Sequence, residues 1–265
     1  MLDYVHISVA QLFIASALLA VNLGTSALLK LGLGRRLVVA AARMVAQLLL
    51  VGFILEWLFS LRQPVPIVLV ALLMATLASV AAVRRTKRRF PRIYLDSLLS
   101  ILVGAALVSG FGVAGVLRID PWFDPQYLIP LLGMILGNAL TGISLALDRF
   151  LDTCVNRRDV IEMLLCHGAT RWEAAHDAIS EAVRTGTVPL LNSMAVMGIV
   201  SLPGMMTGQI LAGAAPEDAV RYQIVIMFMI ASCTAIATVG IVLLAYRRVF
   251  SNRAVLRTDL IKSTD

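Results

Sequence analysis

From Pro64 to Val83 the chain runs for twenty residues without a charge. A bilayer core of about 30 Å needs roughly 20 apolar residues per helix, so this run has the length of a membrane span. Runs of similar length recur at about 8–29, 38–60, 64–83, 95–117, 128–147, 190–212 and 222–246. No water is available in hydrocarbon to satisfy peptide groups, and a spanning segment must close its hydrogen bonds internally. The expected fold is an all-α integral membrane protein of about seven transmembrane helices.

Composition agrees: 59% of residues are hydrophobic, 15% are charged and the mean hydropathy is +0.88. Globular domains carry about 25% charged residues. The net charge of +7 does not point to nucleic acid, because the basic residues flank apolar runs and lack interleaved aromatics. They set orientation instead, since Lys and Arg near span ends stay cytosolic. Placing "RRTKRRFPR" in the cytosol also places Lys30, Arg35, Arg36, the 148–188 connection and the tail "YRRVFSNRAVLRTDLIK" there. Arg62, Arg118, Arg221, Asp120, Asp124, Glu217 and Asp218 fall on the opposite side. The N-terminus is thus expected outside and the C-terminus in the cytosol. "MLDYVH" lacks the positive region of a signal peptide, so the first run reads as a span. No linker or repeat divides the chain, and 1–265 reads as one membrane domain. Cys154, Cys166 and Cys233 imply no disulfide framework.

Enzyme signatures are missing from the sequence. None of Lys30, Lys87 and Lys262 follows a glycine, as the lysine of a Walker A loop would, and no His-Glu pair occurs. His6, His167 and His176 lie outside the spans, so a metal site is not assigned. The chain is expected to be non-catalytic and to hold no cofactor itself.

The 148–188 connection carries dense local signals. Thr170-Arg-Trp-Glu173 is a capping box that starts a helix at Arg171. Ala174, Ala175, Ala178, Ile179, Ala182 and Val183 recur at helical spacing, opposite His176, Asp177, Ser180, Glu181 and Arg184. Gly186 is expected to end that helix, with Pro189 opening the next span. Upstream, Asp159–Leu165 forms a shorter amphipathic helix, and Gly168 makes the corner between the two. One reading is an interfacial helix pair on the lipid headgroups. The other is a docking knob for a cytosolic partner, with Trp172 as anchor inside a polar rim. The mixture of acids and bases differs from the lysine-rich face of a membrane-surface helix.

Glu162, Gly168 and Ala169 partly match the EAA motif in the coupling loop of ABC importer permeases, although Met163 and Leu164 replace its alanines and Pro189 comes late. The chain more closely resembles the FetB family, permease subunits of an iron-exporting ABC transporter that include plant aluminium-tolerance permeases. The segments "RMVAQLLLVGFILEWLF", "LGNALTGISLALDRF", "EMLLCHGATRWEAAHDAISEAVRTGTVPLLNSMAVMGIVSLPGMMTGQILAG" and "AVRYQIVIMFMI" carry the likeness. It implies a permease served by a separate ATP-binding subunit that holds ATP and Mg. Under it, Glu162, His167, Gly168, Ala169, Thr170, Trp172 and Glu173 form the coupling element. The assembly expected is two permease and two ATPase chains in a bacterial cytoplasmic membrane.

The candidate translocation path is drawn from polar and soft residues in the spans: Arg43, Gln47, Asn138, Thr141, Asn192, Met194, Met197, Ser201 and Met205. Met194, Met197, Ser201, Met205 and Gly208 would share one face of a helix kinked at the Pro203-Gly204 hinge. Methionines and small residues at such positions also serve as packing. Arg43 and Gln47 are costly in lipid, which makes Asn138, Thr141 or Asp148 expected partners. Gly133-xxx-Gly137 offers a close helix contact. Iron(II) favours imidazole and carboxylate, so the spans do not themselves indicate iron, and an amphipathic organic cargo fits as well. A stand-alone facilitator and a non-transporting scaffold are the alternatives from other classes.

Overall fold

In a computed structural model, the structure describes residues 8–61, 63–251 and 254–263. His6, Arg62 and the Asn252-Arg253 pair of the tail lie outside them.

The first compact unit is built on α1 (Val9–Ser16), α2 (Leu18–Leu28) and α3 (Gly34–Leu61). Ser8 and Gln11 form a capping box that starts α1. After α2 the backbone turns through Lys30 and Gly32, both at positive φ, and the Ser26 hydroxyl accepts the Leu33 amide at 3.1 Å.

The second unit holds α4 (Pro64–Arg84), α5 (Ile93–Gly110), α6 (Pro125–Asn156), α7 (Arg158–Cys166), α8 (Arg171–Val196), α9 (Gly204–Leu211) apart from its last residue, Leu211, and α10 (Pro216–Val249). Proline at the first helical turn starts α4, α6 and α10, where its missing N–H costs nothing. Glu217 and Asp218 open α10, and Arg247 and Arg248 close it, each sign complementing the helix dipole. A π-helical segment, Phe111–Leu117, extends α5.

Helices α6 and α10 form the centre of this unit. Helix α8 packs on both, α5 runs against α10, and α4 lies on α5 and α6. Small residues set the spacing. A Cβ on Gly142 would stand 2.7 Å from Thr238 Oγ1, and one on Gly186 would stand 2.6 Å from the Gly142 carbonyl oxygen. Helices α6 and α8 therefore meet backbone to backbone, with the Thr234 and Thr238 side chains of α10 packed against the crossing, as small-residue packing in membranes permits. The expected contact at Gly133 and Gly137 is looser: a Cβ at Gly133 meets only Met74, at 3.7 Å, and one at Gly137 meets nothing within 4 Å.

Among the described residues, six helical stretches are long and apolar enough to cross a membrane: Ala10–Leu28, Gly34–Phe59, Pro64–Arg84, Ile93–Leu117, Pro125–Asn156 and Pro216–Val249. The chain is an all-α integral membrane protein. The seventh expected span, 190–212, is not a continuous helix. Helix α8 stops at Val196, residues 197–203 leave helical geometry with Gly198 at positive φ, and α9 begins at Gly204. The Pro203-Gly204 hinge is thus a full break. Gly186 does not end a helix either: it lies buried within α8, and Pro189 continues that helix. Helix α6 continues to Asn156, so the first part of the 148–188 connection belongs to the helix core.

Candidate functional site

The corner between α7 and α8 is built from two complementary caps. Ala169 donates its amide to the Leu164 carbonyl, and Gly168 donates to Leu165. These two bonds are those of a Schellman closure, which needs a left-handed residue at its C′ position. Gly168 supplies it at φ +91°, with nothing within 4 Å of a would-be Cβ. Its glycine answers backbone conformation; space around it is open.

The next residue but one starts α8. Thr170 Oγ1 accepts the Glu173 amide at 3.3 Å, while Glu173 Oε2 accepts the Thr170 amide at 2.7 Å and its hydroxyl at 2.8 Å. The Thr170 amide, then its hydroxyl, hold the Glu173 carboxyl below the usual carboxylate range. The expected capping box is present, and Ala174, Ala175, Ala178, Ile179 and Ala182 are buried as the spacing predicts.

Glu162, His167, Trp172 and Glu173 stand around this corner and are partly or fully exposed. Glu162 pairs with Arg158 one turn earlier at 2.7 Å. His167 Nδ1 lies 2.8 Å from the Met163 carbonyl oxygen. Trp172 presents an edge to Tyr246 of α10 at a centroid distance of 5.9 Å, and Tyr246 packs on Phe250. The corner is thereby tied to the end of α10.

Two further attachments at this end were not anticipated. Arg149 of α6 pairs with Glu181 of α8, and its hydrogen bond draws the Glu181 carboxyl below the usual range against the cost of burial. Asp96, 4% exposed, accepts Arg248 Nε and Nη2 at 3.2 Å each, joining α5 to α10. Sequence spacing could not pair residues 32 and 152 positions apart. The basic connection is latched here as well: the Lys87 amide donates to Asp148 Oδ1 at 2.9 Å, Arg88 meets Asp152 at 3.3 Å, and Arg88–Arg89 pairs with Lys262–Ser263 as a two-stranded ribbon.

Helix α8 runs unbroken from this corner for 26 residues, roughly 39 Å at 1.5 Å per residue. Its other end opens onto a cavity of about 450 Å³ lined by Met194, Met197, Met206, Gln223, Met227 and Phe228, among others. Such a volume falls in the usual range for small-molecule sites. Four residues of the break after α8, Met197, Gly198, Leu202 and Pro203, contribute to this lining.

The expected path residues divide. Met194 and Met197 line the cavity, but Met205 does not; Met206 takes that place because α9 starts a new helix with its own phase. The Met197 backbone also bridges Ser201 across the break. Asn192 is exposed on α8. Asn138 and Thr141 donate to carbonyls of their own helix, Met134 and Gly137, and Asp148 takes the Lys87 amide. Arg43 and Gln47, in the first unit, are exposed on a groove of α3 shared with Arg35 and Arg36.

The sequence profile of the uncharacterised protein family UPF0014 matches residues 9–250. The UPF0014 membrane protein slr1647 of Synechocystis is 38% identical over 83% of this chain and 85% of its own length. The Probable iron export permease protein FetB of Escherichia coli is 31% identical over 84% of this chain and 85% of its own. Protein ALUMINUM SENSITIVE 3 of Arabidopsis thaliana is 32% identical over 93% and 88%. No solved structure matches the chain significantly.

Proposed function

Because the chain belongs to the UPF0014 family of membrane proteins, we propose that it is the permease subunit of an ABC exporter, driven by ATP hydrolysis on a separate ATP-binding subunit. One observation carries the reading: a rigidly capped, exposed α7–α8 corner is joined through unbroken α8 to a cavity at the opposite end. A force applied at the corner moves α8 as a rod, and the Gly142–Gly186 crossing and Trp172–Tyr246 contact pass that movement to α6 and α10.

In this proposal Glu162, His167, Gly168, Ala169, Thr170, Trp172 and Glu173 enter a cleft of the ATPase, which holds ATP and Mg. Residues 1–265 act as one permease domain with the N-terminus outside. Two such chains assemble with two ATPase chains about a two-fold axis in a bacterial cytoplasmic membrane. Iron as cargo enters through the name of the E. coli relative. Among the described residues no group of three or more His, Cys, Asp and Glu converges.

The test is copurification with the ATP-binding subunit, followed by cargo-stimulated ATP hydrolysis in liposomes. Co-isolation with stimulated hydrolysis supports the reading. Conduction by the permease alone would establish a facilitator, and co-isolation without cargo-stimulated hydrolysis a scaffold.

A further inference from the structure

We propose that the cavity at the far end of α8 is a thioether site for a soft monovalent cation, Cu(I) or Ag(I). Four of the chain's 11 methionines line it. They come from four different segments: Met194 from the last turn of α8, Met197 from the break, Met206 from α9 and Met227 from α10. Convergence from several directions is what coordination requires, and packing against a single neighbour does not. The methionine side chain has three rotatable bonds and a polarisable sulfur, so side chains of this kind can adapt their reach to an ion held in the cavity.

The rest of the lining fixes the class of ion. Gln223 is the one polar side chain among the lining residues; it is 6% exposed, and its Oε1 has no hydrogen-bond partner. A buried amide oxygen without a donor loses its hydration unrewarded, and a cation in the cavity would occupy that lone pair. No carboxylate, imidazole or thiolate is present in the lining. A divalent, strongly hydrated ion would surrender its water and find no charge to neutralise it. Thioethers select Cu(I) among first-row metals, and one positive charge is the least costly to hold among neutral ligands.

As a statement about cargo this site rests on the permease reading; as a statement about binding it does not. The experiment is a titration of the purified full-length chain in detergent, under reducing conditions, against Cu(I) held by a chromophoric chelator. The background is Cys166→Ser, because the Cys166 thiol is exposed and would itself take Cu(I). The expected result is one Cu(I) withdrawn from the chelator per chain, resistant to excess Fe(II) or Zn(II). The double variant Met206→Leu/Met227→Leu conserves apolar volume and is expected to weaken binding by about tenfold or more. Where that variant loses monodispersity, Met194→Leu/Met197→Leu at the rim is read in its place.

Equal Cu(I) binding by parent and Met→Leu variants overturns the proposal, as does displacement by Fe(II). Because no ATPase is present, Cu(I) binding without ATPase co-isolation would sink the permease reading and leave the site standing. Coupled hydrolysis without Cu(I) binding would do the reverse.

Discussion

The Gly142 carbonyl oxygen lies 2.6 Å from where a Cβ on Gly186 would stand, which fixes α6 and α8 at near backbone contact. Thr238 Cγ2 and Ala146 Cβ, at 2.8 and 2.9 Å from the same point, close the remaining sides. Gly186→Ala is therefore expected to destabilise the second unit by about 1–3 kcal/mol through overpacking. Thermal unfolding in detergent checks it, and Gly137→Ala, with open space around it, should leave the midpoint unchanged.

Arg149 and Glu181 give the corner a dependence on pH. The folded-state pKa of Glu181 is lowered, chiefly by its hydrogen bond to Arg149. Its contribution is thus fully present above the unfolded value of about 4.3 and is lost as pH falls through the lower folded value. Glu181→Gln should remove this part of the acid sensitivity while lowering stability at neutral pH. An unchanged acid limb of the unfolding midpoint against pH would contradict the assignment.

The Asp96–Arg248 pair should respond asymmetrically. Asp96 is buried, whereas the Arg248 side chain is 42% exposed. Removing the arginine by Arg248→Leu strands a carboxylate without water, at a cost of about 2 kcal/mol or more. Asp96→Asn leaves a guanidinium that reaches solvent and should cost less. Denaturation of the two variants under one condition decides the order, and equal losses would mean that Asp96 finds another donor.

At the corner, variants should separate coupling from folding. Glu162→Lys breaks only an exposed pair with Arg158, worth about 0.5 kcal/mol to the chain, yet it should abolish ATPase co-isolation. Gly168→Val strains a left-handed turn, costing about 1–3 kcal/mol, and should uncouple hydrolysis from transport. Thr170→Ala removes a cap at about 1 kcal/mol and should leave both functions nearly intact. Pull-down of the ATPase and stimulated hydrolysis read the series; normal coupling in Glu162→Lys and Gly168→Val would place docking elsewhere, at 84–92.

The sequence by itself determined the solvent, the helical class and the corner. Span length and hydropathy follow from bilayer thickness, and the Thr170–Glu173 box and Gly168 turn are local interactions closed within five residues. It also placed the buried face of α8 through Ala174, Ala178 and Ala182. Only tertiary structure decided that Gly186 would continue a helix instead of ending one. Glycine serves equally as a C-cap and as a crossing point, and the choice depends on whether Gly142 stands opposite. The same holds for the break at 197–203: a proline–glycine pair signals a kink in any long helix, but a full opening needs a neighbour such as α10 to line the cavity it leaves. The convergence of Met206 and Met227 on Met194 and Met197, and the Arg149–Glu181 and Asp96–Arg248 pairs, were hidden because they join residues from separate segments, and distance along the chain carries no information about such neighbours.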